Sequence, residues 1–151
     1  MPNDTTRSKL TLVSDNGEQQ VQLKTPFCVL VVDDEPLMRE VTDIMIEENG
    51  GSTYLAADGD QAVKLFTKHK DEIDFVFMDF SMPIKNGYEA YLEIKKINPN
   101  VGVVFASGLR AIKEVEELVA AKEIEFITKP FHEIELLKAL IRLQEKKEAQ
   151  S

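Results

Sequence analysis

The chain has one cysteine, two histidines and no tryptophan among its 151 residues. A lone Cys28 cannot close an internal disulfide. Set in an apolar run, it reads as a small core residue of a protein kept in a reducing compartment. His69 and His132 lie far apart in sequence with no cysteine beside them, which argues against a zinc centre. Neither pairs with Ser107 as a hydrolase triad would require. Basic residues are also scarce, with 18 Lys and Arg against 27 Asp and Glu and a net charge of −9. Phosphate contact needs basic patches, so neither direct nucleic-acid binding nor contact with an acidic membrane is expected. No run of about 18 apolar residues exists, and the N-terminus lacks a signal-peptide core. Cytoplasm is the expected compartment. Ser107-Gly108 is too short for a P-loop or a dinucleotide fingerprint.

What remains is an ordinary globular composition, 43% hydrophobic and 30% charged, long enough for one domain and a short appendage. From residue 27 onward, short apolar runs alternate with helical periods. Strands are expected near 28–32, 53–56, 75–79, 101–106 and 125–128, and helices near 36–48, 59–69, 88–97, 110–121 and 132–146. The strand runs are rich in Val, Ile and Phe with little alternation, as in a parallel sheet covered on both faces. The first helix opens on Pro36 and closes at Asn49-Gly50-Gly51, with an inward stripe of Leu37, Val41, Ile44 and Met45. The fourth carries Ile112, Val115, Leu118 and Val119. The last carries Ile134, Leu136, Leu137, Leu140, Ile141 and Leu143, enough to cover the sheet and leave an apolar margin. Lys146-Lys147 reads as a solvated helix end. Five βα units make a doubly wound α/β sheet.

The strand ends carry the chemistry. Val29 to Val32 runs into Asp33-Asp34, Phe75 to Met78 into Asp79, Val103 to Ala106 into Ser107, and Phe126 to Thr128 into Lys129-Pro130. Ligand sites in open α/β sheets lie just outside the carboxyl ends of the strands. Carboxylates gathered there repel unless a cation joins them. Oxygen ligands with no His or Cys cluster suit Mg²⁺, with Mn²⁺ an acceptable substitute.

The acidic pair, Asp79 with its Met82-Pro83…Gly87 tail, Ser107-Gly108 and Lys129-Pro130 together resemble the receiver domain of two-component response regulators over about residues 27–147. The resemblance implies a flavodoxin-like (βα)5 fold with strand order 2-1-3-4-5. It implies Asp79 as phosphoacceptor and a Mg²⁺ held by Asp33, Asp34, Asp79 and the backbone carbonyl of Ser81. Lys129 would meet the phosphoryl oxygens, Ser107 would donate its hydroxyl, and Phe126 would turn inward as Ser107 moves. For Phe126 a plain core aromatic is the other reading. Met82, Pro83, Gly87 and Pro130 would shape the loops, with a cis bond at Pro130 chemically allowed. The partners implied are a histidine kinase or a histidine phosphotransfer protein, and a homodimer through the last helices. Catalysis would be confined to the chain's own phosphorylation and dephosphorylation. Two other classes compete. A dehalogenase-like phosphohydrolase would use Asp79 as nucleophile but needs an acid where Ser81 stands, and a scaffold would not be phosphorylated at all.

Residues 1–26 fall outside the βα pattern. Leu10 to Ser14 and Gln20 to Leu23 flank Asp15-Asn16-Gly17-Glu18, a hairpin signal, while a flexible leader is the alternative. Ser14-x-x-Gly17 with Leu23-x-x-Pro26 also resembles the last hairpin of a histidine-kinase ATP-binding domain. A polar tail is expected over 148–151. A stand-alone receiver and the terminal receiver of a hybrid histidine kinase both fit.

Overall fold

The computed structural model describes residues 11–13, 20–80, 82, 87–108 and 113–150. In chain order the elements are β1 (Thr11–Val13), β2 (Gln20–Gln22), β3 (Phe27–Val32), α1 (Pro36–Glu48), β4 (Gly51–Ala56) and α2 (Gly59–His69). They continue with β5 (Phe75–Asp79), α3 (Gly87–Ile97), β6 (Gly102–Ser107), α4 (Lys113–Ala120), β7 (Glu125–Thr128) and α5 (Glu133–Gln150). Among the described residues no helix is long and apolar enough to cross a membrane.

β3 to β7 form a parallel sheet in the order β4-β3-β5-β6-β7. Counted from β3, this is the expected order 2-1-3-4-5. Successive residues of a strand point to opposite faces, and both faces here are covered. Leu30, Val32, Val76, Met78, Val103 and Phe105 pack with Phe66 of α2, Ile94 of α3 and Val115 of α4. Val29, Val31, Phe77, Val104 and Ala106 pack with Ile46 of α1 and Leu136 and Leu140 of α5. Double coverage explains why the strands read as continuous apolar runs.

Local chemistry sets the helix limits. Pro36 is the first residue of α1, where its missing N–H costs nothing. At the other end the Asn49 amide donates to the Met45 carbonyl at 2.7 Å, and Gly50 takes φ of 90°, a left-handed conformation that favours glycine. Asp58 caps α2 by accepting the Gln61 N–H, and Gln61 returns the bond to the Ala57 N–H. At α5 the Glu135 carboxylate accepts the His132 N–H.

The inward stripe of α1 differs from expectation. Leu37 is 69% exposed and Ile44 46% exposed, while Thr42 and Ile46 are buried and Met38 and Met45 pack beside them. Positions 38, 42, 45, 46 and 49 form one helical face, and this face meets the sheet. The polar Thr42 disguises it in sequence. On α5, Leu136, Leu137, Leu140, Ile141 and Leu143 are all buried. The expected apolar margin shrinks to Ile134 there and Val119 on α4. Ile112 lies outside the described residues. α5 also continues through the residues expected as a polar tail, to Gln150.

β1 and β2 pair antiparallel, Val13 opposite Gln20; the Asn16-Gly17 turn signal and the Ser14-x-x-Gly17 motif lie outside the described residues. The chain that follows is fastened to α5. Leu23 is buried in the α1–α5 core, the Lys24 N–H donates to the Gln144 side chain at 2.6 Å, and the Lys24 ammonium pairs with Glu148.

Candidate functional site

Strand register assembles the site. Val32 lies opposite Met78, Asp79 opposite Ala106, and Ser107 opposite Thr128. Asp33, Asp79, Ser107 and Lys129 therefore stand side by side along the carboxyl edge of four neighbouring strands. Asp33 and Ser107 are fully enclosed, Asp79 is 5% exposed, and Asp34 faces solvent at the mouth.

Lys129 is the electrostatic centre. Its Nζ lies 2.8 Å from Asp33 Oδ2 and 3.5 Å from Asp79 Oδ2. Burial alone would lower its pKa. The hydrogen bond to Asp33 and the charges of Asp79 and Asp33 outweigh that and hold it above the ordinary lysine range. The other Asp33 oxygen accepts the Glu35 N–H at 2.9 Å, and the Asp33 carbonyl accepts from Arg39 Nη1 at 2.7 Å. The Lys129 N–H donates to the Ser107 carbonyl at 3.0 Å, the Lys129–Pro130 bond is cis, and the Phe131 ring packs 5.5 Å from Phe77. Lys129 thus leaves the end of an edge strand held by β6, with Phe131 packed just beyond it.

Asp33, Asp34 and Asp79 each offer an oxygen, and these three atoms lie within 4.8 Å of one another. Such an all-carboxylate set fits a hard divalent cation and offers nothing to a soft one. Among the described residues this is the sole cluster of its kind. His69 instead stacks on Tyr54 with ring centroids 3.9 Å apart, and its Nδ1 faces Glu72, which also accepts the Tyr54 hydroxyl. His132 is exposed.

Gly87 earns its place by contact. A Cβ there would sit 2.6 Å from the Asp79 carbonyl oxygen and 2.9 Å from Phe80 Cα, so only glycine lets α3 begin against this strand end. Met82 is buried in the core beneath. Phe126 is half-buried on the same face, opposite Phe105 in the sheet register. Pro130 is exposed. Ser81 and Pro83 lie outside the described residues. Sequence reasoning missed Arg39, which reaches Asp33 from one turn inside α1, and it could not rank the two neighbouring aspartates. Only the backbone path from β3 into α1 turns Asp33 inward and Asp34 out.

A sequence profile describing the response regulator receiver domain matches residues 29–141. The chain belongs to that family. The receiver domain is 38% identical over 116 residues to protein CcdB of Bacillus subtilis, covering 76% of this chain and 95% of that one. It is 35% identical over 113 residues to the chemotaxis protein CheY of Thermotoga maritima, covering 74% of this chain and 92% of that one. Among solved structures, the CheX–CheY–BeF3–Mg²⁺ complex from Borrelia burgdorferi superposes with a TM-score of 0.67 at 29% identity, over 80% of this chain and 89% of that one. Receiver domains are the phosphoacceptors of two-component signalling, and this chain is one of them. They work with histidine kinases and bind Mg²⁺ through acidic residues.

Proposed function

We propose that Asp79 accepts the phosphoryl group, from a phosphohistidine on a histidine kinase or phosphotransfer protein. The supporting observation is the position of its carboxylate, 3.5 Å from Lys129 Nζ and within 4.8 Å of oxygens of Asp33 and Asp34. An Asp79 oxygen attacks phosphorus as the donor's P–N bond breaks, and the electron pair returns to the imidazole. The product is an acyl phosphate. The transition state is loose, so the chain's task is alignment and charge neutralisation rather than covalent activation. Asp33, Asp34, Asp79 and the Ser81 carbonyl would hold a Mg²⁺ or Mn²⁺ ion, whose charge would offset that of the phosphoryl oxygens. Lys129 exchanges its contact with Asp33 for a phosphoryl oxygen. The Ser107 hydroxyl donates to another, and Phe126 follows it inward. Water attack on phosphorus later releases inorganic phosphate, restores the Asp79 carboxylate and resets the domain.

The donor reaches the acceptor past α1, which begins two residues after Asp34. Leu37 and Ile44, exposed one above the other on that helix, are the apolar anchors we assign to this contact. The α4–α5 face, with Val119 and Ile134 exposed, is the surface assigned to the output partner or a second copy of the chain. Phosphorylation biases that face by a population shift. A phosphohydrolase reading finds no support, since residue 81 is a serine.

The decisive experiment is intact-mass analysis with Mg²⁺ and a small acyl phosphate donor. One phosphoryl group, labile to base and hydroxylamine, is expected on the wild type and none on Asp79→Asn. Undiminished labelling of Asp79→Asn refutes the assignment.

A further inference from the structure

At the amino-terminal end of the sheet, opposite the aspartates, a cavity of about 260 Å³ opens between the end of α3, the start of β6 and α5. Lys95, Lys146 and Lys147 line it together with Asn100, Gly102 and Glu123. The lysines at 146 and 147 are therefore not the solvated helix end that the sequence implies. All three lysines are half-buried, and each is held by backbone carbonyls. Lys95 Nζ donates to the Pro99 carbonyl at 2.6 Å and the Val101 carbonyl at 3.2 Å. Lys147 Nζ donates to the Asp74 carbonyl at 2.9 Å and stands 5.1 Å from the centre of the Phe75 ring. Lys146 Nζ donates to the Lys122 carbonyl.

Carbonyls position these amines without neutralising them. Among the described residues no carboxylate forms an ion pair with any of the three. An ammonium carries three N–H donors, so each amine keeps at least one to offer. The lining thus sets three cations against the single carboxylate of Glu123, on a chain whose net charge is −9. Burial pushes both Lys95 and Lys147 below the ordinary lysine range, and the charge of Asp74 opposes the push on Lys147. For Lys95 the neighbouring Lys146 and Lys147 add to the push and Glu123 opposes it. An anion in the cavity would favour the charged form of these amines and meet their remaining N–H donors.

We propose that this cavity binds a compact phosphate group, either inorganic phosphate or the phosphate end of a small molecule. Lysines act as mobile point charges that accept a tetrahedral anion without the fixed fork of arginine. The volume lies below the roughly 300–1,000 Å³ of sites built for drug-sized ligands, which favours a small occupant. The site is separate from Asp79 and stands whether or not that aspartate is the acceptor.

The test is amide-resolved NMR titration of the full chain without Mg²⁺, using sodium phosphate, sodium diphosphate and glycerol phosphate. Sodium chloride at matched ionic strength is the control. Saturable shifts are expected at Gly102, Leu143 and Lys147 with phosphate and not with chloride. Lys146→Gln and Lys147→Gln should each weaken binding about tenfold, the scale of one lost charge-assisted bond, with the spectra reporting that each variant is folded. Equal affinity for phosphate and glycerol phosphate identifies the free ion as sufficient. Tighter binding of the ester identifies a phosphorylated small molecule. Shifts that match chloride, that appear only around Asp33, Asp79 and Lys129, or that survive unchanged in both variants overturn the proposal.

Discussion

Replacing Lys129 by methionine removes the ammonium that spans Asp33 and Asp79. The cost follows from burial. Asp33 is 0% exposed and the Lys129 side chain 16% exposed, so the variant leaves an enclosed carboxylate without its cation. Breaking a buried pair from one side costs about 3–5 kcal/mol. Asp33 keeps the Glu35 N–H, which places the expected loss at the lower end, about 3 kcal/mol. For a chain of this size that is a fall in Tm of roughly 6–12 °C. The pH dependence has a definite sign. A lysine held above its ordinary value stabilises the fold at every pH below that value, and the contribution fades as pH rises through the raised one. The deficit should therefore be complete at neutral pH and close only in strong alkali, where the wild type loses the same charge. Millimolar Mg²⁺ should narrow it, because the variant's carboxylates have lost the competing ammonium and so bind the cation more tightly than the wild type's. Urea unfolding of both proteins at neutral and alkaline pH, with and without Mg²⁺, measures all of this. A loss below about 1 kcal/mol, the range of an exposed ion pair, would show that Lys129 does not hold the aspartates together. So would a deficit indifferent to Mg²⁺.

Asp34→Ala should weaken Mg²⁺ binding by calorimetry while leaving metal-free stability within about 0.5 kcal/mol, because Asp34 faces solvent. Gly87→Ala should cost about 1–3 kcal/mol in urea unfolding and slow phosphorylation, since its Cβ meets the backbone of Asp79 and Phe80. Leu37→Asp should slow transfer from a phosphohistidine donor about tenfold, the scale of one apolar anchor, and leave labelling by a small acyl phosphate unchanged.

The sheet was legible because both its faces are covered. Buried strands such as Val29 to Val32 and Phe75 to Met78 leave unbroken apolar runs, and each run ends on the residue that enters the site. Helix phase was harder to read. α1 carries two apolar stripes, Leu37-Val41-Ile44 and Met38-Met45-Ile46, and the second is interrupted by Thr42. Nothing in residue type separates them; the path of the chain from β3 through Asp33 to Pro36 does. The aspartates show the same limit. Asp33 and Asp34 are chemically identical neighbours, yet one is sealed against Lys129 and the other open to solvent. The lysines of the last helix misled for a different reason. Hydrophilic residues near a helix end read as solvated, but their long stems carry the ammonium groups to backbone carbonyls of Asp74 and Lys122, far away in sequence.

The length of α5 has a geometric consequence. Its 18 residues make a rod of about 27 Å, at 1.5 Å per residue. The rod starts four residues after Lys129, and its far end grips the N-terminal segment through Gln144 and Glu148. A tilt of about 5° about the Lys129 end would carry that grip sideways by roughly 2 Å, more than the length of a covalent bond. One rod thus joins the strand end that carries Lys129 to Lys24, the segment that follows the β1–β2 pair.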